Sequence, residues 1–187
     1  MADYRFVYLG PRGTGTPLHS DVLRSNSWSA NVTGVKRWRM AHPSLSWLLV
    51  DAHGQLAPGF APKHRGACPR GVALRAAVAR ATRKGPDSGP RRLRAGDVEA
   101  ALEEGGVSEA PCDCGDVDLD SPGWDLKRFP CLEAASQFTL DVTQLPGDAL
   151  FVPSAWHHTV DNAAATLSIN HNWVTAFNIR YVLHHLA

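Results

Sequence analysis

The chain has 187 residues, 44% of them hydrophobic, and its 19 Lys and Arg residues nearly balance its 18 Asp and Glu residues. This length and composition predict a soluble globular protein with one domain and a real core. The near-zero net charge does not call for a polyanionic partner. Runs of about eighteen apolar residues and an apolar leader are both missing from the sequence, which argues against a membrane or export role. We therefore expect a cytoplasmic protein, with the nucleus as the alternative.

The four cysteines are irregularly spaced, and a chain without export signals is expected to keep them as thiols. One alternative stays open. Cys112 and Cys114 could share a zinc ion with Cys68, although the spacing CxxC, which is usual in such sites, is not present. The fourth cysteine is Cys131.

The N-terminal region predicts a strand that leads into a pair of candidate metal ligands. Residues 4–10 are apolar and aromatic and predict a buried strand, and residues 11–17 are rich in turn formers. His19 and Asp21 follow this loop. If they lie in a strand, they point to the same side and can bind one metal ion from one short segment.

Two further strands are predicted between Ser27 and Met40. The residues alternate in character on both sides of Gly34, which predicts two antiparallel strands joined by a turn at Thr33 and Gly34. Lys36 and Trp38 would then share a face of the second strand.

Residues 51–128 differ in character and predict a low-complexity charged insertion, partly disordered, within a single domain that spans 1–187. Its first half is basic, its second half is acidic, and helical composition occurs at 71–81 and 97–104. The two halves could attract each other, although solvated faces are the simpler interpretation. Nucleic-acid binding is disfavoured because no aromatic residues interleave the basic run.

Alternating strands return at residue 138. Phe138–Val142, 149–153 and 165–173 predict strands, a loop carries His157 and His158, and 176–186 predict a C-terminal helix. Short strands with turn signals and metal ligands on separate strands favour a mainly β fold, a double-sheet jelly roll or double-stranded β-helix.

His19, Asp21 and His158 together offer two imidazoles and one carboxylate. That donor set is typical of non-haem Fe(II) oxygenases, and three ligands on one face of the ion leave positions open for a co-substrate and O2. The HxD pair alone is a weak signal. The distal histidine makes the combination informative.

Five segments resemble JmjC-domain (jumonji C) oxygenases of the cupin-like class. Within that family they resemble the branch named JmjC-domain-containing protein four, a lysyl hydroxylase branch associated with the eukaryotic class-one translation termination factor. The segments cover about half of the chain and are Tyr4–Pro11, His19–Asn31, Gly34–Trp38, Phe151–His158 and Ser168–Trp173.

The resemblance implies an Fe(II)- and 2-oxoglutarate-dependent dioxygenase. It assigns His19, Asp21 and His158 as iron ligands and catalytic residues. His157 is the alternative to His158 as the third ligand. It assigns Lys36 to the far carboxylate of 2-oxoglutarate. Three further residues are candidates for contacts with the co-substrate, namely Thr16, Ser29 and Asn170.

The resemblance also sets the alternatives. Family members carry N-terminal strands before the region matched, which suggests an incomplete jelly roll or a truncated product. Two alternatives to a protein lysyl hydroxylase remain open. One is an inactive module that binds a protein, and the other is a histone lysine demethylase. A homodimer through the C-terminal helix, with Phe177 and Tyr181 at its surface, is a further possibility.

Overall fold

The computed structural model describes residues 5–64, 68–82, 93–107 and 125–186. The chain forms two compact units. The β unit comprises Met1–Pro43 and Leu140–Ala187, and the helical unit comprises Ser44–Thr139 and contains the predicted insertion. Among the described residues, no helix has the length and apolar character needed to cross a membrane.

The described residues of the β unit form eight antiparallel strands in two four-stranded sheets. The first sheet has the order β1-β8-β3-β6 and the second has the order β2-β7-β4-β5. The predicted double-sheet jelly roll is therefore confirmed. The strands are β1 (Arg5–Gly10), β2 (Gly15–Ser20), β3 (Asn26–Thr33), β4 (Lys36–Ala41), β5 (Leu140–Gln144), β6 (Ala149–Val152), β7 (His157–Asn162) and β8 (Thr166–Trp173).

The apolar core of the β unit is small and lies mainly on the second sheet. Trp38, Met40, Val152 and Val160 are buried together, because alternate residues of a strand point to the same face. The buried face of β3 is different, since it consists of polar residues, Ser27, Ser29 and Asn31. An interior lined by polar side chains on one sheet indicates space for a polar ligand.

The predicted hairpin of β3 and β4 is wrong in its pairing. The bounds of both strands are close to those predicted, but β3 pairs with β6 and β8, whereas β4 pairs with β5 and β7. Gly34 has φ +78°, and a Cβ there would lie 2.0 Å from the carbonyl oxygen of Ala165. Only glycine fits this tight crossing from one sheet to the other.

Three other expectations need correction. The strand predicted at 4–10 exists as β1, but it is an exposed edge strand, with Val7 68% and Leu9 82% exposed. His157 and His158 begin strand β7 and do not lie in a loop. The C-terminal helix, α4 (Ile179–Leu186), begins three residues later than predicted.

A 3₁₀ helix at Pro43–Leu48 opens the helical unit, and its described residues form three α-helices, α1 (Pro69–Thr82), α2 (Ala95–Glu104) and α3 (Leu132–Ser136). Both helices predicted from composition are found, in α1 and α2. Among the opposite charges of the two blocks, Arg80 and Glu104 form an ion pair at 2.7 Å. Both side chains are more than half exposed, so this pair adds little stability. The insertion at 51–128 is predicted to be partly disordered, and its residues 65–67, 83–92 and 108–124, with Cys112 and Cys114, lie outside the described residues.

Candidate metal centre

Strands β2 and β7 bring two histidines side by side. His19 and His158 lie directly opposite each other in the ladder, and their ring centroids are 4.2 Å apart. An irregularity in β2 between Thr16 and His19 sets this register. Asp21 follows the end of β2. Ligand atoms of His19, Asp21 and His158 all lie within 4.8 Å of one another, so this group could hold a metal ion.

Backbone carbonyls fix the orientation of both imidazoles. His19 Nδ1 lies 2.9 Å from the carbonyl oxygen of Pro17, and His158 Nδ1 lies 3.2 Å from that of Trp156. Because a carbonyl oxygen only accepts, each Nδ1 must carry the proton and donate it. The Nε2 lone pairs are then left for a metal ion, as in many metal-binding histidines.

A serine orients the carboxylate. Ser27 Oγ donates a hydrogen bond to Asp21 Oδ2 at 2.6 Å, which leaves Oδ1 of Asp21 to act as a ligand. Ser27 is buried on β3 of the first sheet, and Asp21 directly follows β2 of the second sheet. The hydrogen bond therefore links the two sheets. Sequence reasoning missed Ser27. The sequence did contain a signal for it, because Ser27 is a polar residue at a position of the strand where alternation predicts burial.

Burial keeps the imidazoles of His157 and His158 neutral. Burial lowers the pKa of His158 to about 4, with a smaller contribution from the nearby charge of His19. Burial also lowers the pKa of the adjacent His157 to about 4, assisted by Arg24 and His19. A neutral imidazole is the form that binds metals, and of the two neighbouring histidines it is His158 that lies with His19 and Asp21 in the group that could hold a metal ion.

Lys36 is a buried cation inside the β unit. Its side chain is on β4, and Nζ donates a hydrogen bond of 2.6 Å to Ser168 Oγ on β8 of the other sheet. Lys36 is 5% exposed, and burial lowers the pKa of its amine. In the part of the chain that the structure describes, no carboxylate forms an ion pair with it. A desolvated cation without a counter-ion suits an anionic ligand.

Polar atoms without partners lie on the facing sheet. Ser29 on β3 is the direct cross-strand neighbour of Asn170 on β8, and neither Ser29 Oγ nor Asn170 Oδ1 has a hydrogen-bond partner among the described residues. Asn31 Oδ1 is also unpartnered. Buried polar atoms are nearly always satisfied, so these mark a place for a ligand or water. Thr16 is half-buried on β2 opposite Val160.

A second residue that sequence reasoning missed is Gln144, which is 1% exposed on β5. Its Oε1 accepts from Trp38 Nε1 at 2.8 Å, and its Nε2 donates to the carbonyl oxygen of Ser29 at 2.7 Å. Gln144 therefore ties the two sheets together beside the unpartnered Ser29 hydroxyl. The donor set and the unpaired Lys36 together fit a divalent transition metal with an anionic co-substrate.

Comparison with known proteins gives the same assignment. The family model of the cupin-like domain matches residues 4–179. The zebrafish (Danio rerio) protein named 2-oxoglutarate and iron-dependent oxygenase JMJD4 is 33% identical over 177 residues, which cover 95% of this chain and 28% of that protein. The human protein of that name is 32% identical over 95% of this chain and 28% of its own length.

A plant relative is named for a different activity. The Arabidopsis thaliana protein named arginine-specific demethylase JMJ20 is 34% identical over 97% of this chain and 26% of its own length. The chain spans less than a third of the length of each of these relatives. With its match to the family model over most of its length and its resemblance to these proteins, the chain belongs to the cupin-like domain family, in the JmjC group.

Proposed function

We propose that the β unit binds Fe(II) and 2-oxoglutarate and uses O2 to hydroxylate a protein side chain. One observation carries this proposal, the group of His19, Asp21 and His158, whose ligand atoms lie within 4.8 Å of one another. Two imidazoles and one carboxylate form the donor set of non-haem Fe(II) oxygenases. Similarity to proteins named 2-oxoglutarate and iron-dependent oxygenases supports the choice of metal and co-substrate.

Each residue of the site has a role in this proposal. His19, Asp21 and His158 would hold the iron through Nε2, Oδ1 and Nε2. Lys36 would pair with a carboxylate of 2-oxoglutarate, and the polar atoms of Ser29 and Asn170 would serve the co-substrate as hydrogen-bonding groups. When bound, the iron couples oxidative decarboxylation of 2-oxoglutarate to succinate and CO2 with the transfer of one oxygen atom to a substrate C–H bond.

The protein supplies position and charge to this chemistry. The carbonyl groups of Pro17 and Trp156 hold the two imidazoles in the tautomer that exposes Nε2. Ser27 holds one carboxylate oxygen of Asp21, so that the other is free to bind. Lys36 acts from a buried position, where its attraction for an anion is screened less than in water.

The substrate we propose is a lysine side chain of a protein, with a class-one translation termination factor as the candidate. Its support is the resemblance of the motifs to the lysyl hydroxylase branch. A demethylase is the second candidate, favoured by similarity to Arabidopsis proteins named arginine-specific demethylase JMJ20 and lysine-specific demethylase JMJ21. Both reactions begin with the same attack on a C–H bond, so the site alone does not separate them.

The test is succinate release from 2-oxoglutarate by the chain supplied with Fe(II) and ascorbate, followed by mass spectrometry of candidate peptides. Hydroxylation adds one oxygen atom to a lysine, whereas demethylation removes a methylene unit from a methylated peptide. Asp21→Ala should abolish both readouts and also metal binding. A folded, iron-loaded chain that releases no succinate would instead support an inactive module that binds a protein.

Two weaker proposals concern assembly and location. Helix α4 exposes apolar side chains, with Leu183 59% and Leu186 65% exposed, and we propose it as a contact between two copies. Sedimentation of the chain and of Leu183→Lys would test this. We also propose a cytoplasmic or nuclear location, to be tested by imaging of the tagged protein.

A further inference from the structure

The helical unit contains a cluster of reactive side chains that the proposed function does not use. His64 is 8% exposed and Glu133 is 7% exposed, and His64 Nε2 lies 2.7 Å from Glu133 Oε1. On its other side, His64 Nδ1 lies 3.9 Å from the sulfur of Cys68. A thiol, an imidazole and a carboxylate are thus arranged in a line, the order that activates a cysteine nucleophile.

The carboxylate at the end of this line is fixed and ionised. Arg70 donates from Nε to Glu133 Oε1 at 2.6 Å and from Nη2 to Oε2 at 2.8 Å. Burial would raise the pKa of Glu133, but the hydrogen bonds from Arg70 and His64 outweigh it and lower the pKa. An ionised carboxylate accepts the hydrogen of His64 Nε2, so the lone pair of Nδ1 faces the thiol.

The backbone around His64 is also held in place. The amide nitrogen of His64 donates to Gln137 Oε1 at 2.9 Å. Gly71, in the first turns of α1, lies so close that a Cβ there would be 2.7 Å from His64 Cβ. Glycine is unfavourable in a helix, and at this position it lets α1 approach the imidazole.

Cys68 has a second activating feature that does not depend on His64. It immediately precedes α1, and its carbonyl oxygen accepts the amide hydrogen of Val72 at 2.9 Å, so it is the N-terminal cap of a helix of 14 residues. The positive end of a helix dipole favours the thiolate form of a cysteine. Cys68 is partly accessible, which a reagent requires.

We propose that Cys68, His64 and Glu133 form a second reactive site, at which hydrogen peroxide oxidises the Cys68 thiol to a sulfenic acid. In this step His64 Nδ1 takes the thiol proton, and the thiolate sulfur gives an electron pair to one peroxide oxygen. The S–O bond forms, the O–O bond breaks, and the departing hydroxide takes the proton from His64 to give water. Sulfur is oxidised and peroxide is reduced, with no further reactant.

Cys131 provides a control within the same unit. Burial and the charge of Asp97 raise the pKa of the Cys131 thiol to about 11. Alkylation of the full chain by iodoacetamide, mapped by peptide mass over a range of pH, compares the two thiols directly. At pH 7 we expect Cys68 to react more than about tenfold faster than Cys131. Equal rates, or a slower Cys68, would overturn the proposal without any variant.

A pair of variants tests the role of the imidazole. His64→Asn should slow alkylation of Cys68 at pH 7 by about tenfold, which corresponds to one unit in its pKa. His53→Asn is the matched control, because His53 is an exposed histidine of the same unit, and it should leave the rate unchanged. An unchanged rate in folded His64→Asn would contradict the role of the imidazole. If that variant does not fold, the wild-type comparison with Cys131 decides.

The oxidation itself has a direct readout. Hydrogen peroxide followed by dimedone, which traps sulfenic acids, should label Cys68 and leave Cys131 unlabelled. Cys68→Ser should remove this label. A chain in which Cys68 is alkylated quickly but is never labelled by dimedone would overturn the proposed oxidation, and labelling confined to other thiols would do the same.

Discussion

The two units of the chain differ in whether their buried polar side-chain atoms have hydrogen-bond partners. Among the described residues of the β unit, four buried side-chain atoms have no hydrogen-bond partner, on Ser29, Asn31, Asn170 and Asn178. In the described part of the helical unit, every buried polar side-chain atom has a partner. A network with all its partners stabilises a fold, whereas unpartnered atoms cost free energy unless a ligand satisfies them. The difference indicates a binding interior in the β unit and, in the helical unit, a network whose polar atoms are satisfied by the protein itself.

The largest effect is expected from Arg70→Ala, which breaks the network of the helical unit. Removing the guanidinium leaves the Glu133 carboxylate buried with one strong partner lost, at a cost of about 3 kcal/mol in the free energy of unfolding. Denaturant unfolding measures this. Arg80→Ala is the control, because it removes one member of an exposed ion pair and should cost less than about 0.5 kcal/mol. Equal losses in the two variants would show that the buried network contributes no more to stability than an exposed ion pair.

Lys36→Met should lower the affinity of the β unit for 2-oxoglutarate without lowering the stability of the ligand-free chain. We expect affinity for 2-oxoglutarate, measured by calorimetry with Mn(II) present, to fall about 10-fold to 100-fold, since a charged hydrogen bond contributes about 1.5–3 kcal/mol. The ligand-free chain should be as stable as before or more so, because an unpaired cation is no longer buried. Lys127→Met, at an exposed lysine, should change neither quantity. Retained affinity in Lys36→Met would remove Lys36 from the site.

Ser27→Ala should weaken the metal centre without removing a ligand. Residues that orient metal ligands typically contribute 10-fold to 100-fold in affinity, and we expect about 10-fold here because Asp21 is half-exposed. Titration with Co(II), followed by its absorption spectrum, measures this. Ser25→Ala is the control, since Ser25 bonds to Asn172 and not to Asp21. An equal loss in both variants would indicate a general disturbance of β3.

The smallest expected effect is on the pH dependence of the stability of the helical unit. Because the hydrogen bonds of Glu133 lower its pKa below the usual 4.5, the folded state binds its proton less readily than the unfolded state. The stability that Glu133 contributes is therefore complete above pH 4.5 and is lost as the pH falls through its folded pKa. The midpoint temperature of unfolding, followed as the pH is lowered, should fall less steeply in Glu133→Gln. Parallel pH profiles would contradict this.

Prediction from sequence succeeded where the signal is local. Alternation placed β3, β4, β5, β6 and β8 within a few residues of their observed bounds, and the residue types at positions 19, 21 and 158 suggested a metal site before any geometry was known. Prediction failed for the pairing of strands. The turn at Gly34 was interpreted as a hairpin, yet it carries the chain between sheets, because close approach to Ala165 and pairing of β3 with β8 prevail over the local pattern.

The cluster around His64 shows the same limit. Cys68 is four residues from His64, but Glu133 is 69 residues away, and no spacing in the sequence links them. Ser27 was also missed as a partner of Asp21, although its polar character at a buried position was visible. Hydrogen bonds between distant residues depend on which elements pack together, and this is not encoded in local periodicity.

The sequence by itself determined the chemical types of the ligands, most strands of the β unit and the two longer helices of the helical unit, because these depend on residue identity and on repeats of two or about 3.6 residues. Tertiary structure alone decided that His19 faces His158, that Ser27 holds Asp21, and that Lys36 is buried with no carboxylate of the described residues paired to it. The reason is that burial and orientation arise from contacts between segments far apart in the chain. Such contacts turn a set of polar residues into a site.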